Sequence, residues 1–508
     1  MRKFFSTQTF KLGLLIFIQI VAVLLLIFNA LSFQGVIYNT AVIFGGLIGI
    51  SIFGKDDLNP VYKLLWICII AVLPFLGAVI YLLWGDRKIA KKKAGEINKA
   101  VTACKEAREK YKHTVSPDIL EGGEKASAKY LLYTADSPVY ENTLTEYYSC
   151  GEDFFKSLTC ELEKAEKFIF MEYFIIKNGY MWDKIYNILE KKAKAGVDIR
   201  IVYDSFGSVI DFPENFRKNM QDLGIKCYVF NPMKFSWKIT DYTFLNHRDH
   251  RKICVIDGNV GFTGGINISD EYINKINLHG HWKDTAVMLK GEGVYSFTTT
   301  FLKMWEFVTK TNENYLKYIP TKKYQGDGYV QAYDDSPLDV ENVSENSYFN
   351  VIYHARKYVY IATPYLVIDN EMVTTLSLAA KSGVDVRIIT PGIPDKKYVY
   401  YLTQSFYPEL IRAGVRIFEY TPGFIHAKMF IRDDEQAIVG SANLDYRSLY
   451  LHFENCCALY GGKIICDIKK DFDNIFKDCH EITHEDIKKV PRWKRIIQLF
   501  LKFLAPVM

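Results

Sequence analysis

Across 508 residues there is no Cys-x-x-Cys pair and no even cysteine framework; the ten cysteines stand at 68, 104, 150, 160, 227, 254, 456, 457, 466 and 479. That scatter speaks against a zinc cluster and a disulfide-stapled fold, and it predicts free thiols in a reducing compartment. A strong excess of either charge is missing too. Lys and Arg total 63 against 58 Asp and Glu, a net of +5 at pH 7, which is too balanced to suggest a nucleic-acid partner. With 49% hydrophobic and 15% aromatic residues the chain is neither disordered nor collagen-like. Its length suits two to four structural units with a sizeable core.

Charge is also absent locally. Residues 12–54 and 64–85 contain none, and about 20 apolar residues suffice to cross a bilayer. The second block reads as one span, with Trp66, Tyr81 and Trp84 as interfacial aromatics. The first is long enough for two, with Gln34, Gly35, Asn39 and Thr40 as a polar turn. The competing reading of its start is a cleaved signal peptide ending near Ala30-Leu31-Ser32. Residues 1–90 are therefore expected to be a transmembrane segment of two to three helices. Basic residues on the two sides of three spans nearly balance, so they do not orient the chain. The unpaired cysteines after residue 149 place the large C-terminal part in the cytoplasm, in a multi-pass protein of the cell membrane. Residues 91–130, rich in Lys, Glu and Ala, read as a charged helical linker.

The remainder repeats itself. Ala195-Gly196-Val197-Asp198-Ile199-Arg200-Ile201 returns as Ser382-Gly383-Val384-Asp385-Val386-Arg387-Ile388. Apolar strand-like runs precede each copy, at 167–174 and 357–366, and others follow, at 224–230 and 414–420. Helix-period stretches lie between them, so each copy reads strand–helix–strand–helix–strand, an α/β unit with a largely buried sheet. The expected boundaries are 131–322 and 323–490, followed by a basic amphipathic helix at 491–508.

The duplication extends to a motif. His250-Arg251-Lys252 and His426-Ala427-Lys428 are each followed, after four residues, by an aspartate, Asp257 or Asp433. Each then reaches a small-residue turn ending in Asn267 or Asn443. Alternate side chains of a strand share a face, so each histidine points the same way as its lysine. An imidazole beside an ammonium suits a site that handles phosphate; Lys252, Lys428, Asn267 and Asn443 are the expected phosphate-binding set. Two copies closing on one phosphorus allow a two-step displacement. One histidine attacks and becomes covalently bound, and the other protonates the leaving alcohol. No metal or other cofactor is needed. Asp284 and Glu454 follow the two motifs at similar places and are expected to orient the histidines, Asp284 serving His250 and Glu454 serving His426. Asp257 and Asp433 are counted with the catalytic set, although strand ends also suit a turn-fixing role.

This paired arrangement resembles the phospholipase D superfamily over roughly residues 130–480, and within it the bacterial cardiolipin synthases. Supporting stretches are residues 73–85, Tyr203-Asp204-Ser205-Phe206-Gly207-Ser208, Thr363-Pro364-Tyr365 and residues 441–448. The resemblance implies two pseudo-twofold-related α/β sandwich repeats behind an N-terminal transmembrane segment. It also implies condensation of two phosphatidylglycerol molecules into cardiolipin with release of glycerol, the bilayer as partner, and a possible homo-oligomer. By analogy His250 is the nucleophile and His426 the acid/base, roles that the near-symmetric copies do not separate. Water or serine as acceptor would instead give a phospholipase D or a phosphatidylserine-forming enzyme. The chain departs from the pattern at His452, where the family would have Asn, and in its extra N-terminal span.

His480-Glu481-Ile482-Thr483-His484 spells the zinc-protease signature, but Thr483 and Asp486 look like the cap of a new helix. The tail from Arg492 interleaves basic and large apolar residues, and fits either a membrane interface or an ordinary packed helix.

Overall fold

The computed structural model describes residues 33–507 except 57, 86–90, 209–211, 213–214, 233–243, 245 and 340. The chain divides into two compact units, Met1–Lys88 and Ile89–Met508. The start of the first charge-free block and the signal-peptide site fall outside the described residues. The polar turn expected at Gln34, Gly35, Asn39 and Thr40 is not a turn: all four lie in the continuous helix Phe33–Phe53.

In the N-terminal unit, Gln34–Phe53 is the one helix among the described residues that is long and apolar enough to cross a membrane. The second charge-free block is not the single span expected from its length. Its first helix, Pro60–Val72, begins at Asn59, whose side chain accepts from the Val61 amide, and stops at Leu73. Pro74 has no N–H to continue it and starts a second helix, Pro74–Ile80, which runs on through Tyr81–Gly85. The chain turns back there. The Tyr62 hydroxyl donates to the Gly85 carbonyl at 2.8 Å, and the Trp66 and Tyr81 rings meet edge-on at 5.3 Å. Gly77 permits this approach, since a Cβ there would lie 3.0 Å from Ile69 O and Ile70 Cα. Thirteen residues rise about 20 Å, short of a hydrocarbon core of about 30 Å. Trp66 and Tyr81 are thus buried inside a helical hairpin rather than spread along an interface.

The second unit holds two matching sheets. In the first, the strands run Thr143–Tyr148, Ala286–Gly291, Val260–Gly264, Lys252–Ile256, Phe168–Tyr173, Asp198–Asp204, Lys226–Phe230. In the second, they run Tyr329–Asp335, His452–Tyr460, Gln436–Gly440, Met429–Arg432, Tyr358–Ala362, Asp385–Pro391, Arg416–Tyr420, closed by Cys479–Glu481. The order corresponds strand for strand. The last three shared strands pair parallel in each sheet, which requires crossovers. Helices Tyr180–Lys194 and Phe216–Asp222 supply them in one repeat, Asn370–Lys381 and Lys397–Arg412 in the other.

Alternation along the strands divides the core. Phe168 and Phe170 join Tyr358, Tyr360, Met429 and Ile431 between the sheets, while Ile169 and Met171 pack under the first repeat's own helices. The two repeats therefore share one inner core, a sandwich of sheet on sheet with helices outside. The expected linker is helical at Lys91–Lys110 and Gly122–Ala135, but the first of these is no solvated spacer. Ile97, Cys104, Ala107 and Tyr111 enter the shared core. Buried Arg108 bonds Thr299, Thr300 and the Ser296 carbonyl of the helix Val294–Thr309. All ten cysteines are free thiols. The protease-like signature is broken as its sequence suggests: His480 lies in a strand, and Thr483 with Asp486 forms a capping box on the helix His484–Lys489.

Candidate active site

Each motif histidine stands where one repeat's chain pairs with the other's. The short strand Arg248–Asp249 runs parallel to His452–Phe453, and Gly423–Ile425 runs parallel to His281–Lys283. The next backbone bonds continue these pairings: the His250 amide donates to the Phe453 carbonyl at 2.9 Å, and the His426 amide to the Lys283 carbonyl at 2.7 Å. The residue after each acceptor is the acid of the opposite repeat.

The side chains follow the backbone. His250 Nδ1 lies 2.9 and 3.0 Å from the two carboxylate oxygens of Glu454, and His426 Nδ1 lies 2.6 Å from Asp284 Oδ2. This reverses the expected assignment, in which each acid served the histidine of its own repeat. The reason is strand order. The strand carrying Lys252 and the one that follows Asp284 are separated by Val260–Gly264, so acid and histidine of one repeat are two strand spacings apart, about 9–10 Å. The pairing across repeats closes that gap. A carboxylate only accepts, so Nδ1 of His250 carries the proton and Nε2 keeps its lone pair.

Lys252 Nζ donates to the His250 carbonyl, and Lys428 Nζ does the same to His426 while also approaching its Nδ1 at 2.7 Å. Both lysines are buried. Burial pushes Lys252 down to about 7 and Lys428 down to about 8, against the pull of Glu454 and Asp284. Both imidazoles are held well below their ordinary value by burial and by the two lysines together, and His426 adds to the effect on His250. The groups of the two motifs therefore share one electrostatic environment. Burial also raises Asp284 to about 7.

The motif aspartates are elsewhere. Asp257 accepts from the amides of Glu166, Lys167 and Phe168, and Asp433 from those of Arg356, Lys357 and Tyr358, at 2.6–2.9 Å. Both adopt positive φ, 53° and 52°. Five residues past the lysine along a strand is about 16 Å from it, so the catalytic expectation for this pair is corrected to a turn-fixing role. Asn267 is also committed: its Oδ1 accepts from the Ile175 amide and its Nδ2 donates to the Tyr272 hydroxyl. That ties it to the backbone after the strand Phe168–Tyr173 and to Tyr272 rather than to a phosphate. Asn443 is buried with Oδ1 unbonded among the described residues, and stays a candidate.

Several residues escaped sequence reasoning. Ser441 Oγ donates to Glu454 and helps fix it. The first repeat has Gly265 there, because a Cβ would stand 2.2 Å from Asp284 Oδ1. Arg251, fully buried between His250 and Lys252, meets Glu172 and Asp334 at 3.3 Å and the Glu454 carbonyl at 3.3 Å. Its counterpart is Ala427, so the pseudo-symmetry breaks at the middle residue of the motif. Phe174 packs edge-on against the His250 ring; Tyr272 packs edge-on and Trp282 tilted at 43° against that of His426.

His452, Glu454 and His250 bring three possible ligand atoms within 4.8 Å of one another. Two buried lysines beside them repel a cation, and Glu454 is already taken by His250 and Ser441. The set fits a phosphate better than a metal.

Comparison with known proteins agrees with this geometry. Residues 158–305 and 348–476 match the family described as "Cardiolipin synthase, PLD-like domain", and residues 43–85 match "Phospholipase_D-nuclease N-terminal". The chain belongs to the cardiolipin synthase family. It is 33% identical to a cardiolipin synthase of Geobacillus sp. (strain WCH70), covering 89% of this chain and 90% of that one. It is 43% identical to an uncharacterised protein of Streptococcus mutans, covering 89% and 98%. The fold is shared with the phosphatidylserine synthase of Haemophilus influenzae, at 13% identity and a TM-score of 0.56, covering 75% of this chain and all of that one. Members of the cardiolipin synthase family are enzymes of the phospholipase D superfamily, and this chain carries both halves of their motif.

Proposed function

We propose that the protein condenses two phosphatidylglycerol molecules into cardiolipin and glycerol through a phosphatidyl-histidine intermediate. The observation that supports this most is the reciprocal pair of imidazole–carboxylate contacts, His250 with Glu454 and His426 with Asp284. Nε2 of His250 attacks the phosphorus of the first lipid, an N–P bond forms, and the P–O bond to glycerol breaks. His426 gives the departing oxygen its proton. The hydroxyl of a second phosphatidylglycerol then loses a proton to His426 and attacks the same phosphorus, which releases His250. Lys252 and Lys428 balance the nonbridging oxygens, with Asn443 as a further donor. Burial and the two lysines hold both imidazoles well below their ordinary value. A bound phosphodiester offsets the lysines and lets one ring take up the proton that the first step needs.

The same reading makes the protein a multi-pass component of the cell membrane with its catalytic unit in the cytoplasm, and without a nucleic-acid partner. Purified protein incubated with headgroup-labelled and acyl-labelled phosphatidylglycerol tests the reaction. Cardiolipin and free glycerol in equal amounts are expected. Phosphatidic acid alone makes water the acceptor, phosphatidylserine on addition of serine makes serine the acceptor, and either result overturns the condensation.

A further inference from the structure

The helix Arg492–Leu504 is turned the wrong way for water. It packs on the helix Lys397–Arg412 through its polar side. Gln498 is buried, Lys494 lies over the Tyr401 ring at 4.7 Å, and Lys502 lies over the Phe406 ring at 4.5 Å with its ammonium 3.3 Å from Glu409. Leu501 packs inward against the core, but most of the large apolar residues face outward. Trp493, Ile496, Phe500 and Phe503 form one stripe, at steps of three, four and three residues, and are 57%, 69%, 61% and 44% exposed. Leu499 beside them is 72% exposed. A water-facing helix buries such a stripe and shows its glutamine and lysines; here the arrangement is inverted.

Two observations select the occupant. Arg492 and Arg495 are exposed on the same helix, and cations beside an apolar stripe with a tryptophan match an anionic lipid surface better than a protein groove. The chain also carries the helix Gln34–Phe53, long and apolar enough to hold it at a bilayer. The supporting helix leads toward the site: Lys396, just before its start, acts electrostatically on His426, and Ile393 and Tyr398 nearby are exposed apolar residues.

We propose that Arg492–Leu504 is an interfacial helix lying in the bilayer surface, its stripe among the acyl chains and its arginines at anionic headgroups. On the phosphatidyltransfer reading above, this docking presents the histidine pocket to lipid in the plane of the membrane.

The test uses the full chain reconstituted in vesicles of phosphatidylglycerol and phosphatidylethanolamine. A benzophenone amino acid replaces Ile496, Phe500 or, as a control, the exposed Tyr133. Irradiation is expected to give lipid adducts at 496 and 500 at about tenfold the yield at 133. Adducts to a second copy of the chain, or equal yields at all three positions, overturn the proposal. A second measurement concerns orientation. The double variant Ile496→Glu, Phe500→Glu is expected to turn over bilayer phosphatidylglycerol about tenfold more slowly while keeping wild-type turnover of a monomeric short-chain analogue. Equal loss on both substrates, or no loss, overturns the orienting role. A wild-type protein inactive on both substrates overturns the assigned reaction instead, and the adduct pattern still decides the helix.

Discussion

Glu454 grips the Nδ1 edge of His250 with both carboxylate oxygens although 204 residues separate them in the chain. Asp284 does the same for His426 with one oxygen, so each repeat supplies the acid for the other's base. Glu454→Gln preserves shape and removes the charge that fixes the His250 tautomer, and it should lower kcat by about 10²–10⁴. With His250 as nucleophile, rapid-quench trapping should show slow formation of the covalent lipid in Glu454→Gln, and both slow formation and slow decay in Asp284→Asn, where the general acid and base is impaired. The opposite assignment of the two defects would reverse the roles of the histidines.

His250→Ala and His426→Ala should each abolish turnover, and only His426→Ala should still trap a lipid adduct, detectable by mass spectrometry of the intact chain. Robust turnover in either variant removes the two-histidine mechanism.

The free site should work over a narrow pH range. Asp284, raised to about 7, loses its charge as pH falls through that value; Lys252 at about 7 and Lys428 at about 8 lose theirs as pH rises. A profile of kcat/KM from acid to alkaline conditions should therefore be a bell with its maximum near neutrality. Lys252, which titrates below Lys428, sets the alkaline limb; Lys252→Arg keeps that charge, so whatever activity it retains should have the limb shifted upward by about one unit, to where Lys428 titrates. A limb that does not move detaches the alkaline fall from Lys252.

Asp257→Ala should affect folding rather than chemistry. Three backbone amides lose their acceptor and a non-glycine residue stays at positive φ, a cost of about 1–3 kcal/mol. Thermal unfolding should register the loss, while kcat of the folded fraction stays at the wild-type level. A collapse of kcat without a drop in Tm would restore a catalytic role.

Arg251→Met should be more damaging to stability. It strands the buried carboxylates of Glu172 and Asp334, worth about 3–5 kcal/mol when a buried ion pair loses one partner. Lys303 and Arg108 still attend Asp334, so Glu172 should carry most of the penalty. Replacing Glu172 with Gln in the same chain should recover part of the lost Tm.

The repeats were legible because periodicity and duplicated motifs are local signals: runs 167–174 and 357–366 became matching central strands, and the helix-period stretches became crossovers. The histidines and lysines were legible for the same reason. The partner of each histidine was not, because proximity in sequence favours the acid of the same repeat, whereas a strand lies between them in the sheet. The aspartates of the motif misled in a related way. Their fixed spacing marks a strand end that needs three amides satisfied, and spacing alone does not separate that need from catalysis. The block 64–85 has the length of a span, but Pro74 and Gly77 make it a hairpin. The linker's charge hid an apolar stripe, Ile97, Cys104, Ala107 and Tyr111, visible only at helical spacing.

The exchange of acids has a consequence for dissection. Cut between residues 322 and 323, the protein would become two polypeptides, each bearing a motif histidine whose carboxylate went with its counterpart. Neither fragment alone would be an enzyme, and catalysis would return only on mixing, as in an obligate heterodimer.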